Sequence, residues 1–206
     1  MEDREQWLNW TIELQALAQA GLHYGHDKYD FERYARIRDI AAEMAARQSG
    51  LPLETVKDLF CNETGYQTPK LDTRAAIFQG DQILLVQESD GRWSLPGGWV
   101  DVNVSVGENV VKEVKEEAGL DVAADLVIAL QDRNRRNQPR YAYSICKVFV
   151  LCSVQGGSFQ PNLETLDSRY FALDQLPELA EEKTTAEQIR MCFDACRAKH
   201  WKTLLD

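Results

Sequence analysis

The chain has 206 residues, 44% of them hydrophobic and 27% charged, enough for one large domain or a main domain with a small companion. Its formal net charge is −10; such a surface repels a polyphosphate backbone, so long nucleic acid is not an expected partner. No apolar run approaches the length needed to cross a bilayer, and the charged start MEDREQWLNW lacks the apolar centre of a secretory signal, so the expected setting is cytoplasmic, away from membranes.

The first sixty residues read as helical. From Glu2 to Ala20, Trp7, Leu8, Ile12, Leu14 and Leu17 recur at helical spacing, and Gly21 and Gly25 are read as the break. A second helix is predicted over Tyr29 to Gln48 and ends at Ser49-Gly50; Pro52 suits the start of a short third helix reaching Phe60. Residues 61–72, CNETGYQTPKLD, have the polar, Gly- and Pro-containing composition of a linker.

Beyond the linker the pattern changes to strands, at Thr73–Phe78, Gln82–Gln87, Trp93–Leu95 and Trp99–Asp101, with Gly80-Asp81 as a hairpin turn between the first two. Further strands are expected at Leu126–Leu130, Ser144–Val154 and Arg169–Ala172. The tail Thr184–Trp201 reads as a helix opened by Thr184 and Glu187 in capping-box spacing. On it Cys192, Cys196 and His200 recur every four residues, which we read as packing, since one helical stripe rarely encloses an ion. The order predicts a helical domain over residues 1–66 and an α+β domain over 67–206.

The stretch that carries chemistry runs from Gly97 to Leu120, GGWVDVNVSVGENVVKEVKEEAGL. Ser105 and Glu108 form a capping box, and Gly119 before Leu120 supplies a left-handed stop. At about 100° per residue, Glu113, Glu116 and Glu117 share one side of the intervening helix, while Val110, Val111, Val114 and Ala118 lie on a neighbouring side that can pack on a sheet. Three carboxylates so placed repel one another unless a cation lies among them. Lys112 and Lys115 are expected to point elsewhere, and carboxylate oxygens are the ligands that magnesium prefers. The alternative is a solvated acidic face.

These residues resemble the box of the Nudix hydrolases, G-x5-E-x7-R-E-U-x-E-E-x-G-U, where U is bulky and apolar. Gly98 begins it and Lys112-Glu113-Val114-Lys115-Glu116-Glu117-Ala118-Gly119-Leu120 completes it. Two positions depart from the pattern: Val104 stands where the box has Glu, and Lys112 where it has Arg. In the family those two residues usually pair and brace the loop; Glu108 is our candidate for the missing brace, as helix cap or as partner of Lys112. The approach Arg92–Trp99 resembles the family's strand leading into the box, and the helical leader and the later segment from Gly156 are similar to a Nudix subgroup that hydrolyses nucleoside diphosphates linked to a second group X, such as ADP-ribose or CDP-choline.

The resemblance implies a Nudix α/β/α sandwich with a mixed sheet behind a small helical domain, and water attack on a diphosphate assisted by Mg2+, with Mn2+ as an alternative. It implies Glu113, Glu116, Glu117 and the carbonyl of Gly97 as metal ligands, Glu116 serving catalysis as well. A carboxylate outside the box often handles the water; Glu164 is the candidate, with Glu181 and Glu182 as lesser ones at the start of a solvated helix. Arg133 and Arg135, in the dense basic cluster Asp132–Arg136, either clamp phosphate or mark a charged hairpin tip. Trp99, Tyr141 and Tyr143 are candidates to stack a base, against an alternative role in the core. The subgroup also implies a homodimer, to whose partner site His23 and Tyr24, between leader helices, would reach. The rival readings are a Nudix hydrolase of nucleoside triphosphates or capped RNA, and a nucleotide sensor without catalysis.

Overall fold

The computed structural model describes residues 2–162 and 165–206. The chain divides into two compact units, one comprising Met1–Pro69 with Tyr141–Tyr143, the other Lys70–Arg140 with Ser144–Asp206.

The first unit is built on three helices, α1 (Glu2–Tyr24), α2 (Lys28–Ser49) and α3 (Leu53–Phe60). Gly21 does not end α1 as expected. A Cβ there would lie 2.5 Å from the Tyr34 ring, so this glycine lets α2 pack close, and the break falls at Gly25–Asp27. Asp27 caps α2, accepting from the Tyr29 and Asp30 amides. Ala41, Ala42 and Ala45 pack with Val56 and Phe60 in a small core. The buried Gln15 donates to the Phe60 carbonyl at 2.7 Å, and Gln19 donates to Gly65 at 3.0 Å. His23 and Tyr24, expected in the break, belong to the last turn of α1 and pack edge to face at 4.6 Å.

The second unit is a mixed sheet of seven strands: β1 (Lys70–Gln79), β2 (Gln82–Gln87), β3 (Trp93–Ser94), β4 (Leu120–Asp132), β5 (Ile145–Gly157), β6 (Asp167–Ala172) and β7 (Leu204–Leu205). The order is β3-β2-β1-β5-β4-β7, with β6 on the other edge of β2. β1 runs parallel to β5 and β7 parallel to β4; the remaining pairs are antiparallel. Side chains alternate between the two faces of each strand. Ile83 and Leu85 thus join Ala76 and Phe149 beneath helix α6 (Ala186–Arg197), while Leu84 and Val86 join Ala75 and Val150 beneath helix α4 (Val106–Ala118). Both faces being covered, Ala75–Phe78 of β1 and Ile83–Val86 of β2 read as unbroken apolar runs. The arrangement is the expected α/β/α sandwich. No helix among the described residues is long and apolar enough to cross a membrane.

Several elements depart from the sequence reading, and Trp99–Asp101 forms only an isolated bridge from Trp99 to Asp72 in place of the expected strand. β4 is 13 residues long because it follows β5 through three register shifts, and its exposed Asp121 and Asp125 mask the strand pattern. The box that opens α6 is Thr185 with Gln188, both halves of it formed. Thr184 is buried, and its hydroxyl accepts instead from the Leu95 amide at 3.1 Å. Losing an N-cap hydroxyl costs about 1 kcal/mol, whereas an exposed first-turn acid stays within about 0.5 kcal/mol. In urea unfolding we therefore expect Thr185→Ala to be destabilised by about 1 kcal/mol and Glu187→Ala to match the parent.

Candidate active site

The turn that leads into α4 is made possible by one residue. Gly97 has φ of 141°, and a Cβ there would sit 1.9 Å from the Thr73 carbonyl oxygen. Only glycine permits this approach to β1. On either side the strand hydrogen bonds continue, with Ala75 donating to Pro96 and Thr73 to Gly98. The Gly97 amide donates to the Glu117 carboxylate at 2.7 Å, and a Cβ on Gly98 would meet the Glu113 carboxylate at 2.7 Å. The Gly-Gly turn is thereby held against the acidic side of α4.

Helix α4 forms as its sequence requires. Ser105 and Glu108 complete their capping box, and Gly119 ends the helix in the left-handed region at φ 69°. Val110, Val114 and Ala118 are fully buried on the sheet. Asn109, also buried, donates to the Thr73 hydroxyl at 2.9 Å and ties the helix to β1. Glu108 is spent on the cap, accepting from the Ser105 amide at 2.8 Å, so it is not the partner of Lys112. That partner is Asp101, 3.0 Å from the ammonium.

The three box carboxylates lie in the C-terminal half of α4 but do not share one environment. Glu117 is turned inward to Gly97, and burial pushes its carboxyl up to about 7 despite the opposing pull of the Arg74 guanidinium. Glu113 is raised chiefly by burial, with Lys112 opposing. Glu116 is half exposed. Contrary to the sequence expectation, Lys112 does not point away: its ammonium lies 3.4 Å from Glu113 and 3.6 Å from Glu116. Lys115 does point away, to Asp121 at 2.8 Å. Among the described residues no three acid, histidine or cysteine side chains enclose a ready-made cation site. The donor set nevertheless fits a hard divalent ion: an ammonium already lies against two of the carboxylates, and the third is held away from solvent at the cost of a raised pKa.

Other site candidates land in different places. Arg133 is 1% exposed and donates to the carbonyls of Pro139 and Glu182; it serves the interior and cannot clamp a ligand from there. The basic cluster lies at the tip of the β4–β5 hairpin, where it forms one helical turn, α5 (Arg133–Arg136), capped by Asp132. Arg135 lies 3.7 Å from Asp132 and is largely exposed. Trp99 is 46% exposed and bridges to Asp72 of β1 beside the Gly-Gly turn. Tyr141 and Tyr143 stack on each other at 5.3 Å and belong to the helical unit. Glu181 and Glu182 lie in a turn before α6, where Glu182 is paired with Arg92 at 2.6 Å. Glu164 lies outside the described residues. Cys192 is buried in the core and Cys196 is exposed, and α6 ends at Arg197, so His200 does not extend their stripe.

Sequence reasoning missed a buried polar row behind the turn. Asp72 and Arg74 point to the α6 face of β1, with Lys147 beside Asp72 on β5. Arg74 pairs with Asp72 through two hydrogen bonds of 2.8 Å and donates to the Leu95 carbonyl, two residues before Gly97. Lys147 donates to the Lys183 carbonyl. The signal was available: charged residues at inward positions of apolar strands are costly and so have a task.

The sheet, the glycine turn and the capped acidic helix define a phosphoanhydride-hydrolase scaffold. The chain belongs to the Nudix hydrolase family: residues 68–192 match the NUDIX domain, and residues 5–60 match a domain described as UDP-X-like, N-terminal oligomerisation domain. A Bacillus subtilis protein bearing the provisional name ADP-ribose pyrophosphatase YjhB is 41% identical over 98% of this chain and 97% of its own. The crystal structure of a Streptococcus suis ADP-ribose pyrophosphatase is 61% identical, covering 68% of this chain and 100% of that one with a TM-score of 0.64. A UDP-X diphosphatase structure is 32% identical over 98% of each chain, also with a TM-score of 0.64.

Burial pushes the Lys147 ammonium down to about 7, with Arg74 adding to the effect. Between that value and the ordinary lysine range, the unfolded chain holds a proton that the folded chain has shed, so this group makes stability rise with pH there. Below about 7 both states are charged and the full burial penalty applies. Lys147→Met should therefore gain most over the parent near pH 6 in urea unfolding, the gain shrinking as pH approaches 10. A gain that grows with pH would contradict the burial of a strained ammonium.

Proposed function

We propose that this enzyme hydrolyses the diphosphate of a nucleoside diphosphate linked to X, ADP-ribose and UDP-sugars being the first candidates. Water adds across one P–O bond of the bridge, giving a nucleoside monophosphate and phosphorylated X. The single observation that carries the reading is the placing of Glu117 and Glu113 against the Gly97-Gly98 turn, with the Lys112 ammonium already against Glu113 and Glu116. The substrate class draws on the names of the ADP-ribose pyrophosphatases and the UDP-X diphosphatase, the last matched along both units.

Glu113, Glu116, Glu117 and the Gly97 carbonyl would hold magnesium, or manganese in its place. The ion supplies the positive charge that lets a diphosphate approach carboxylates in a protein of net charge −10. Gly97 fixes the turn, and its amide keeps Glu117 oriented toward it. Trp99, half exposed beside that turn, offers a flat apolar surface for a base. Arg135, on the surface and loosely held, is the remaining basic candidate for a phosphate. Glu164 is the candidate for orienting the water.

With magnesium present, ADP-ribose, UDP-glucose and CDP-choline should each be tested against nucleoside triphosphates, with products identified by mass. Nucleoside monophosphate plus phosphorylated X is the expected pair; inorganic diphosphate from triphosphates alone would sink the reading. Glu116→Gln should lower kcat by roughly a hundredfold or more while the far-ultraviolet spectrum is unchanged, because it removes a ligand charge without changing shape.

We propose further that residues 1–66 assemble two chains and that 67–206 carry the catalysis. Along α1, Trp7, Trp10, Leu17 and Tyr24 recur at spacings of three and seven residues, as positions in a helix-pairing stripe do, and each is at least 46% exposed. An apolar stripe of this kind needs a cover. Light scattering should give twice the 23.5 kDa chain mass, and Leu17→Glu should shift the protein toward monomer. A Leu17→Glu protein that stays dimeric would move the interface elsewhere.

A further inference from the structure

The box departs from its family at Val104 and Lys112, and the structure assigns these departures a consequence. We propose that Lys112 is an internal competitor for the metal, and that Asp101 is the carboxylate to which its ammonium withdraws when an ion binds. The inference rests on the metal site of the preceding subsection and adds two positioning residues to it.

The geometry carries the argument. One ammonium lies 3.0 Å from Asp101, 3.4 Å from Glu113 and 3.6 Å from Glu116. Its shortest contact is therefore with a residue outside the trio, and its two longer contacts are with proposed ligands. A divalent ion among Glu113, Glu116 and Glu117 would face that ammonium across a few ångströms, and like charges at such range repel strongly. Moving the ammonium fully onto Asp101 removes the conflict without leaving a charge unpaired. Lysine suits the task, because its ammonium is a compact charge on a flexible stem; an arginine fork would lock bidentately on one partner. Val104 offers no carboxylate, which leaves Asp101 as the acid on the loop that Lys112 contacts. Asp101 is itself placed by its backbone amide, which donates to the side chain of the buried Asn109 at 3.4 Å. The berth and the helix are thus tied through one side chain.

Glu108 and Lys115 supply the contrast. Glu108 is confined to the cap and Lys115 pairs with Asp121, so neither exchanges with the trio. Lys115→Met removes the same charge as Lys112→Met without touching the carboxylates.

The test is a double-mutant cycle on Mn2+ affinity, read by electron paramagnetic resonance of free Mn2+ and by calorimetry on the full chain. Asp101→Asn should weaken Mn2+ binding by about fivefold, the upper end of what one half-exposed ion pair contributes. Lys112→Met should tighten it by a similar factor, and Lys115→Met should change it less than about twofold. In the double variant Asp101→Asn/Lys112→Met, affinity should equal that of Lys112→Met, because Asp101 acts only through the lysine. Weaker binding in Lys112→Met would make the lysine a brace rather than a competitor and overturn the proposal. An Asp101→Asn effect that persists without Lys112 would also overturn it. If the parent protein binds no Mn2+, the metal site itself fails, and this inference with it.

Discussion

Like charges crowded on one side of a helix repel, and the second unit is organised around holding three of them there. Glu113 and Glu117 are brought to a turn that only Gly97 can make, against a carbonyl that excludes any Cβ, and Glu116 is linked to Glu113 through the Lys112 ammonium. Val110, Val114 and Ala118 fix the rotation of α4 by burying the neighbouring side, and Asn109 fixes its position along β1. Burial of that face therefore sets which carboxylate points inward. Glu117 becomes the desolvated one, Glu116 stays in solvent and Glu113 lies between.

The same turn is supported from behind by charge in the interior. Arg74 holds Asp72 and the Leu95 carbonyl, so the strand that delivers Gly97 cannot slide relative to β1. Lys147, Arg133 and Asn137 donate to the carbonyls of Lys183, Glu182 and Glu181, pinning the turn before α6 against the sheet. That turn in turn faces the β2–β3 connection, with Lys183 on Glu88 at 2.6 Å and Glu182 on Arg92. Buried cations that each donate to a carbonyl are a costly way to fix a loop, and the hydrogen bonds they make offset part of that cost.

How much of this was legible in the sequence depended on whether neighbours or distant residues decided the outcome. The capping box at Ser105, the stop at Gly119 and the apolar side of α4 are local properties, and they stand where spacing puts them. Thr184 and Thr185 offer the same local signal; a distant amide, that of Leu95, claims Thr184 and passes the cap to its neighbour. Gly21 looks like a helix breaker until the Tyr34 ring is seen to need its missing side chain. Arg133 looked like a phosphate clamp because a dense basic run is usually solvated, and no spacing rule announces that one arginine of three is buried. The reach of Lys112 was misjudged for a related reason: angular position on a helix places a Cβ, while a flexible stem of four carbons places the charge.

That distinction bears on what the altered box can do. A guanidinium paired with a box glutamate is a rigid fork, and its charge stays on the loop whatever occupies the site. In this chain the charge sits on a rotatable stem among three carboxylates, and the acid nearest to it belongs to the loop rather than to the trio. The site can then remain neutralised before any ion arrives, which eases the repulsion that would otherwise strain α4. The cost appears on binding, when the ammonium must leave. A protein with ten excess negative charges already draws divalent ions toward its surface. It can therefore tolerate a weaker individual site in exchange for an acidic helix that folds before the metal is present.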